Sequence, residues 1–249
     1  MSKNNVVELK NPEAIEDSLT DLLRRGARQL IEQAVEIEVQ ELMLDEKGEV
    51  MAIPLRQIRA VYDDRTIRVY QAYSAAIADS ALEHGTFVSP PFKIERMTWI
   101  KPSFLWMMYR AGWGKKDSDQ KRILAIDISR EGFEWALAHS CLSHFESGTY
   151  ATKEEWHKIK EQSPVRIQWD PERDLHLQPL EHRAIQIGLS GEAVRLYVNE
   201  WIQNIIEVTG LATEIYSFLE SNQLEDAYQL LPNERQYPIS ENLEKKLYK

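Results

Sequence analysis

Ser103-Phe-Leu-Trp-Met-Met-Tyr-Arg-Ala111 does more than any other segment to restrict what this chain can become. Five bulky apolar residues follow one another from Phe104 to Met108. Pro102 stands where a first helical turn tolerates proline, and Gly112 stands where a helix stops. A helix with no polar face has to be buried on nearly every side, which requires layers of structure around it. A second apolar run, Ile123-Leu-Ala-Ile-Asp-Ile128, is bounded by polar loops and reads as a central strand. A buried helix beside a buried strand predicts an α/β or α+β fold, a single domain whose mixed sheet is flanked by helices.

Shorter signals fill in the frame. Ile58–Tyr62 and Ile67–Tyr70 are β-prone runs around Asp63-Asp64-Arg65, a hairpin-like arrangement. Ser74 to Glu83 predicts a helix stopped by Gly85, Pro90-Pro91 a turn, and Met97–Ile100 a strand. Ser129 is placed to cap a helix running through Phe133, Leu137 and Cys141. Val165–Trp169 alternates as a strand and meets a turn at Asp170-Pro171; Ile185–Leu189 is a further strand. After Ser190-Gly191, the stripe Val194, Tyr197, Val198, Trp201, Ile202 and Ile205 predicts one amphipathic helix. One or two more helices follow from Ala212.

Charge is unevenly distributed. The net charge is −10, yet residues 51–130 hold 13 basic against 8 acidic groups, while residues 1–50 and 131–249 are acidic. A cationic stretch in an acidic protein is a place to look for a bound anion such as phosphate. The plainer expectation is that these cations pair with carboxylates of the last third. The single cysteine, Cys141, forbids an internal disulfide and fits a reducing compartment. The N-terminus lacks the apolar core of a signal peptide, and no run is long enough to cross a membrane, so the expected location is cytoplasmic with no membrane partner.

Residues 1–50 read as a helical leader, with apolar residues at helical spacing from Ile15 to Leu42 and a stop at Gly48. Residues 15–45, and Leu19-Thr-Asp-Leu-Leu-Arg-Arg-Gly-Ala-Arg-Gln-Leu-Ile-Glu-Gln-Ala-Val-Glu-Ile-Glu-Val39 above all, resemble the beginning of mutator-type insertion-sequence transposases. That resemblance implies a truncated transposase start fused upstream of another gene, with Met51 as that gene's own initiator. A dispensable remnant is the first expectation; a helix that self-associates or docks on a partner is the alternative.

Residues 51–249 then form the single main domain. Its blocks Arg68-Val-Tyr-Gln-Ala-Tyr-Ser74, Met97-Thr-Trp-Ile-Lys-Pro-Ser-Phe-Leu-Trp-Met-Met-Tyr-Arg110, Arg166-Ile-Gln-Trp-Asp-Pro-Glu-Arg173 and Ile185-Gln-Ile-Gly-Leu-Ser190 are similar to a widespread bacterial and fungal family of unknown function. The resemblance covers residues 52–210 and implies no activity.

Familiar catalytic signatures (a phosphate-binding P-loop, a dinucleotide glycine motif, a zinc-protease helix, a nucleophile elbow) are missing. His139-x-Cys141-x-x-His144 offers three possible metal ligands, but helical offsets of two, three and five do not converge on one ion, so one or both histidines are expected to cap or line the core and no metal is predicted. Lys101-Pro-Ser103 opens the buried helix, where backbone N–H groups and the positive dipole end suit a phosphate. Arg110, on the far side of that helix, extends the same cleft. Arg68, Tyr70, Gln71, Tyr73 and Trp99 bring an arginine and aromatics from two strands, superficially like ADP-ribosyltransferase-type folds; Glu172 is then the candidate for the later glutamate, and NAD the cofactor. Asp170, Glu172 and Arg173 gather charge at one strand end, where α/β folds tend to place ligand groups. For each of these residues a packing or ion-pairing role is the competing expectation.

The leading functional expectation is an enzyme handling a nucleotide or nucleic acid. A non-catalytic nucleotide or nucleic-acid binding module is the runner-up. A protein-interaction domain using the acidic last third is the third reading.

Overall fold

The computed structural model describes residues 54–248, and they form one compact unit of mixed α and β structure. The leader and its resemblance lie outside the described residues. In chain order the elements are β1 (Arg59–Ala60), β2 (Thr66–Tyr73), α1 (Ala75–His84), β3 (Thr98–Ile100), α2 (Phe104–Ala111), β4 (Arg122–Ser129), α3 (Arg130–Ala138), β5 (Ser140–Leu142) and α4 (Lys153–Gln162). There follow β6 (Val165–Arg173), β7 (Pro179–Leu189), α5 (Glu192–Leu196), a π-helical turn over Tyr197–Trp201, β8 (Ile202–Glu207), α6 (Thr209–Glu220), α7 (Leu224–Gln229), β9 (Arg235–Gln236) and α8 (Glu241–Leu247).

Three sheets form among the described residues. One has the order β2-β4-β8 and is antiparallel; a second, β3-β7-β6-β5, is antiparallel except for its parallel β5–β6 edge; β1 pairs with β9. The first two meet at one backbone bridge. Tyr70 N–H donates to Lys101 O at 2.7 Å, and Lys101 N–H donates to Tyr70 O at 3.3 Å.

Alternation along β2 and β4 divides the core in two. Ile67, Val69, Leu124, Ile126 and Ile128 face a large cluster with α1, α3 and the second sheet. Tyr70, Ile123 and Ala125 face the opposite way, onto α2 and α6. As the all-apolar helix demands, Phe104, Trp106, Met107, Met108 and Ala111 are buried. Each such large side chain contributes roughly 1.5–3 kcal/mol by leaving water. Ser103 caps α2 by accepting from Trp106 N–H, and Gly112 ends it in a left-handed conformation (φ 56°) that glycine adopts freely. Pro102 lies just before this cap rather than in the first turn.

The Asp63 hairpin, the helix from Ser74 to Gly85 and the central strand β4 form as the sequence predicts. Three local expectations are corrected. Ser129 does cap α3, but that helix stops at Ala138, and Cys141 sits on β5. The strand from Val165 runs on through Pro171 to Arg173, because an irregularity in its pairing with β7 between Pro171 and Arg173 accommodates the proline. The stripe from Val194 is helical only to Trp201; Ile202 and Ile205 belong to β8, where hydrogen bonds to β4 outweigh the helical period. No helix of the described residues is long and apolar enough to cross a membrane.

Candidate functional site

The register of the second sheet places Trp99 opposite Gly188, Gly188 opposite Arg166, and Gln186 opposite Gln168. With a period of two, Trp99 and Lys101, Gln186 and Gly188, and Gln168 and Asp170 share one face. Amide donors lock that face. Gln168 Nε2 donates to Asp170 Oδ1 at 2.9 Å, and Gln186 Nε2 donates to Asp170 Oδ2 at 2.6 Å. Gly188 lets the Trp99 indole lie against the sheet, since a Cβ there would stand 3.0 Å from two of its ring atoms.

Lys101 projects from this face at the start of α2 and is only 5% exposed. Its Nζ reaches Trp99 O at 3.4 Å, and none of the ion pairs among the described residues involves it. Burial, reinforced by the Arg110 charge and opposed by Asp170, pulls the ammonium down to about 7. Arg110 is exposed at the last turn of α2. Arg173 lies over Tyr109 (3.6 Å to the ring centre) and Trp106 (5.4 Å), and it donates to Leu177 O. Its Nε is buried without a partner. Neither Arg110 nor Arg173 belongs to any of those ion pairs.

A second group of charges closes the N-terminus of α2. Ser103 Oγ donates to Glu172 Oε1 at 2.8 Å, and Glu172 also accepts from Arg173 N–H at 2.9 Å. Phe104 N–H donates to Glu234 Oε1 at 2.7 Å, while Arg59 Nη2 donates to Glu234 O at 2.9 Å. Burial raises the Glu172 carboxyl above the usual carboxylate range. Burial and then the charge of Glu172 raise Glu234 further. Both carboxyls stand at the N-terminus of α2, where burial disfavours their charge and the helix dipole favours it. Tyr70 is 1% exposed, packs edge-on against Phe104, and its hydroxyl has no hydrogen-bond partner.

The structure therefore gathers Trp99, Lys101, Ser103, Arg110, Asp170, Glu172 and Arg173 around α2, with Tyr70 beneath. The other sequence-derived candidates are engaged elsewhere. Arg68 forms a two-pronged ion pair with Asp127, at 2.8 and 2.9 Å. Gln71 and Tyr73 belong to a closed buried network: Gln71 Nε2 lies 2.7 Å from Thr98 Oγ1 and 2.9 Å from Tyr73 OH, and Tyr197 OH donates to Gln71 Oε1 at 2.8 Å. His139 does cap its helix, with its ring stacked on Trp135 and Nδ1 2.8 Å from Trp135 O. The sequence reading missed Glu234, Arg59, Gln168, Gln186, Trp106 and Tyr109. Trp106 and Tyr109 carried a usable signal, being spaced i, i+3 on one helix. Glu234, in a polar tail, carried none.

The sequence profile of a domain of unknown function, DUF4291, matches residues 57–237, which is most of the chain. The chain belongs to the DUF4291 family. Every residue of the site around α2 lies inside the matched span, whereas α8 lies beyond it and residues 15–45, with their transposase resemblance, gain no support from the match. A comparison with curated proteins finds no match to this DUF4291 chain.

Proposed function

We propose that this DUF4291 domain handles a nucleotide or a nucleic-acid segment, holding phosphate with Lys101, Arg110 and Arg173 and base or ribose against Trp99, Trp106 and Tyr109. One observation carries the reading: these three cations cluster around α2 and none takes part in an ion pair among the described residues, although the domain is rich in carboxylates. A cation outside any ion pair, next to aromatic faces, suits a planar ligand bearing negative charge. The Glu172–Glu234 pair supplies the acid and base of an enzyme, the feature a pure binding module does not need.

A narrower reading, transfer of ADP-ribose from NAD, is favoured by the Ser103–Glu172 hydrogen bond two residues beyond the bridge that joins the two sheets. Its anchor, Arg68, is held by Asp127, so a bound pyrophosphate has to compete with that carboxylate.

Thermal unfolding with a panel of mononucleotides, dinucleotides and short oligonucleotides tests the proposal. A ligand at a hundred times its Kd stabilises the native state by about 2.7 kcal/mol. For a domain of this size that raises Tm by roughly 5–10 °C. Arg173→Ala and Lys101→Met are expected to remove most of the gain. Retention of oligonucleotides that falls steeply with salt, without nucleotide stabilisation, selects the binding module. No response to any of these ligands refutes both. Release of nicotinamide from NAD, lost in Glu172→Gln while NAD still stabilises the fold, selects ADP-ribosyl transfer.

A further inference from the structure

A hollow of about 540 Å³ opens between the end of α3, the short strand β5, the loop before α4, and α8, on residues the site around α2 does not use. That volume is within the range of small-molecule sites, roughly 300–1,000 Å³. Its apolar lining comes from Leu142, Ile159, Pro164, Ile167 and Leu247. Its polar lining includes His139, Lys245 and Lys246. No aspartate or glutamate is among the lining residues, in a chain with 40 acidic and 30 basic side chains. The local charge is thus opposite to that of the protein.

The two lysines are placed by α8. Lys246 Nζ donates to Ala138 O at 2.5 Å, and both residues line the hollow. Lys245 faces Glu241 at 3.6 Å, but both side chains are largely exposed (72% and 87%), so water screens the pair and leaves the ammonium free to exchange partners. The His139 Nδ1 donates to Trp135 O, leaving Nε2 as an acceptor for a ligand's hydroxyl or amide rather than for its anionic group. Cys141, the one cysteine of the chain, lines the same hollow and is 3% exposed.

We propose that this hollow binds an amphipathic organic anion, with a carboxylate, sulfonate or phosphate headgroup between Lys245 and Lys246 and an apolar body against Ile159, Ile167 and Leu247. Apolar walls alone would take a neutral molecule; two lysines of α8 in a lining without carboxylates select an anion. The inference is independent of the reading of the α2 site.

Anilinonaphthalene sulfonate is an anion of this kind whose emission rises on transfer to an apolar site. Titrated into the full chain, it is expected to bind saturably and to slow modification of Cys141 by an aromatic disulfide reagent severalfold. The double variant Lys245→Ala/Lys246→Ala, altered only on an exposed helix face, is expected to weaken binding about tenfold. Ile159→Trp fills part of the hollow and is expected to abolish the protection, while Lys101→Met leaves the titration unchanged. The proposal is overturned if the double variant binds the probe as the wild type does, if saturating probe leaves the thiol reaction rate unaltered, or if Lys101→Met removes the binding.

Discussion

Replacing Lys101 by methionine makes the sharpest test of how the α2 site is built. Methionine keeps a similar length and removes the ammonium from a position that is 5% exposed. In the folded chain the amine is pulled from its ordinary 10.5 to about 7 by burial and by Arg110. The unfolded chain therefore binds a proton that the native state releases across that interval. The lysine's contribution to stability is fully present above pH 10.5 and is lost as the pH falls through about 7. The whole drop corresponds to about 5 kcal/mol, at 1.36 kcal/mol per pH unit. Urea unfolding of wild type and Lys101→Met, between about pH 6.5 and 9.5, covers enough of the interval for about 3 kcal/mol to appear. Other titrating groups cancel in the difference between the two proteins. Wild type is expected to gain on the variant steadily as the pH rises, and the variant to have its greatest relative stability near neutrality. A difference that stays flat within about 0.5 kcal/mol would show that the amine remains charged in the fold, and the account of its isolation would fail. Nucleotide added near pH 7 is expected to shrink the variant's advantage, because an anion restores the value of the charge.

Other substitutions probe neighbouring parts of the argument. Gly132→Ala places a Cβ 2.3 Å from Cγ of Trp201 and 2.5 Å from Cδ1, against ordinary contacts of about 3.5–4.0 Å. With contacts this close, overpacking near the upper end of about 1–3 kcal/mol outweighs the roughly 1 kcal/mol gained in helix propensity, and the net loss of about 2 kcal/mol is expected to lower Tm by about 4–8 °C; a rise would refute the close approach of α3 to the indole. Glu234 is raised by burial and by Glu172, so its contribution is present below the ordinary carboxylate value and disappears as the pH rises. Glu234→Gln should accordingly flatten the pH dependence of stability above about pH 4.5, by up to about 1.4 kcal/mol per pH unit, and an unchanged slope in urea titrations would contradict this. Asp127→Asn removes the charge facing Arg68 and is expected to cost about 1–3 kcal/mol of unfolding free energy, part of it recovered with pyrophosphate if that guanidinium is a phosphate anchor.

Where local chemistry decided the structure, the sequence was legible. The stretch from Phe104 to Met108 had to be enclosed, Ser103 and Gly112 marked its ends, and both came out so. Strand β4 was legible for the same reason. What failed depended on partners distant in the chain. Ile202 and Ile205 continue a helical stripe in sequence, yet β4 offers them an edge to pair with, and that is not written locally. The three-residue β5 is too short to have a period, so Cys141 looked like a helix residue. That Lys101, Arg110, Glu172 and Arg173 lie near one another around α2 was partly legible, because they fall close in sequence to Pro102 and Pro171. Arg68 was a candidate for sound reasons, but its carboxylate partner is 59 residues away. Glu234 arrives from the C-terminal segment only when β9 pairs with β1.

The backbone bridge between Tyr70 and Lys101 gives the domain a seam. Two amide protons there stitch one sheet to the other, and the same two residues supply the orphaned hydroxyl and the isolated ammonium of the site. A ligand bound at the α2 site as proposed would therefore bear directly on the contact between the two sheets. Deuterium uptake at those two amides becomes a local gauge of occupancy, slowing when a guest grips both halves.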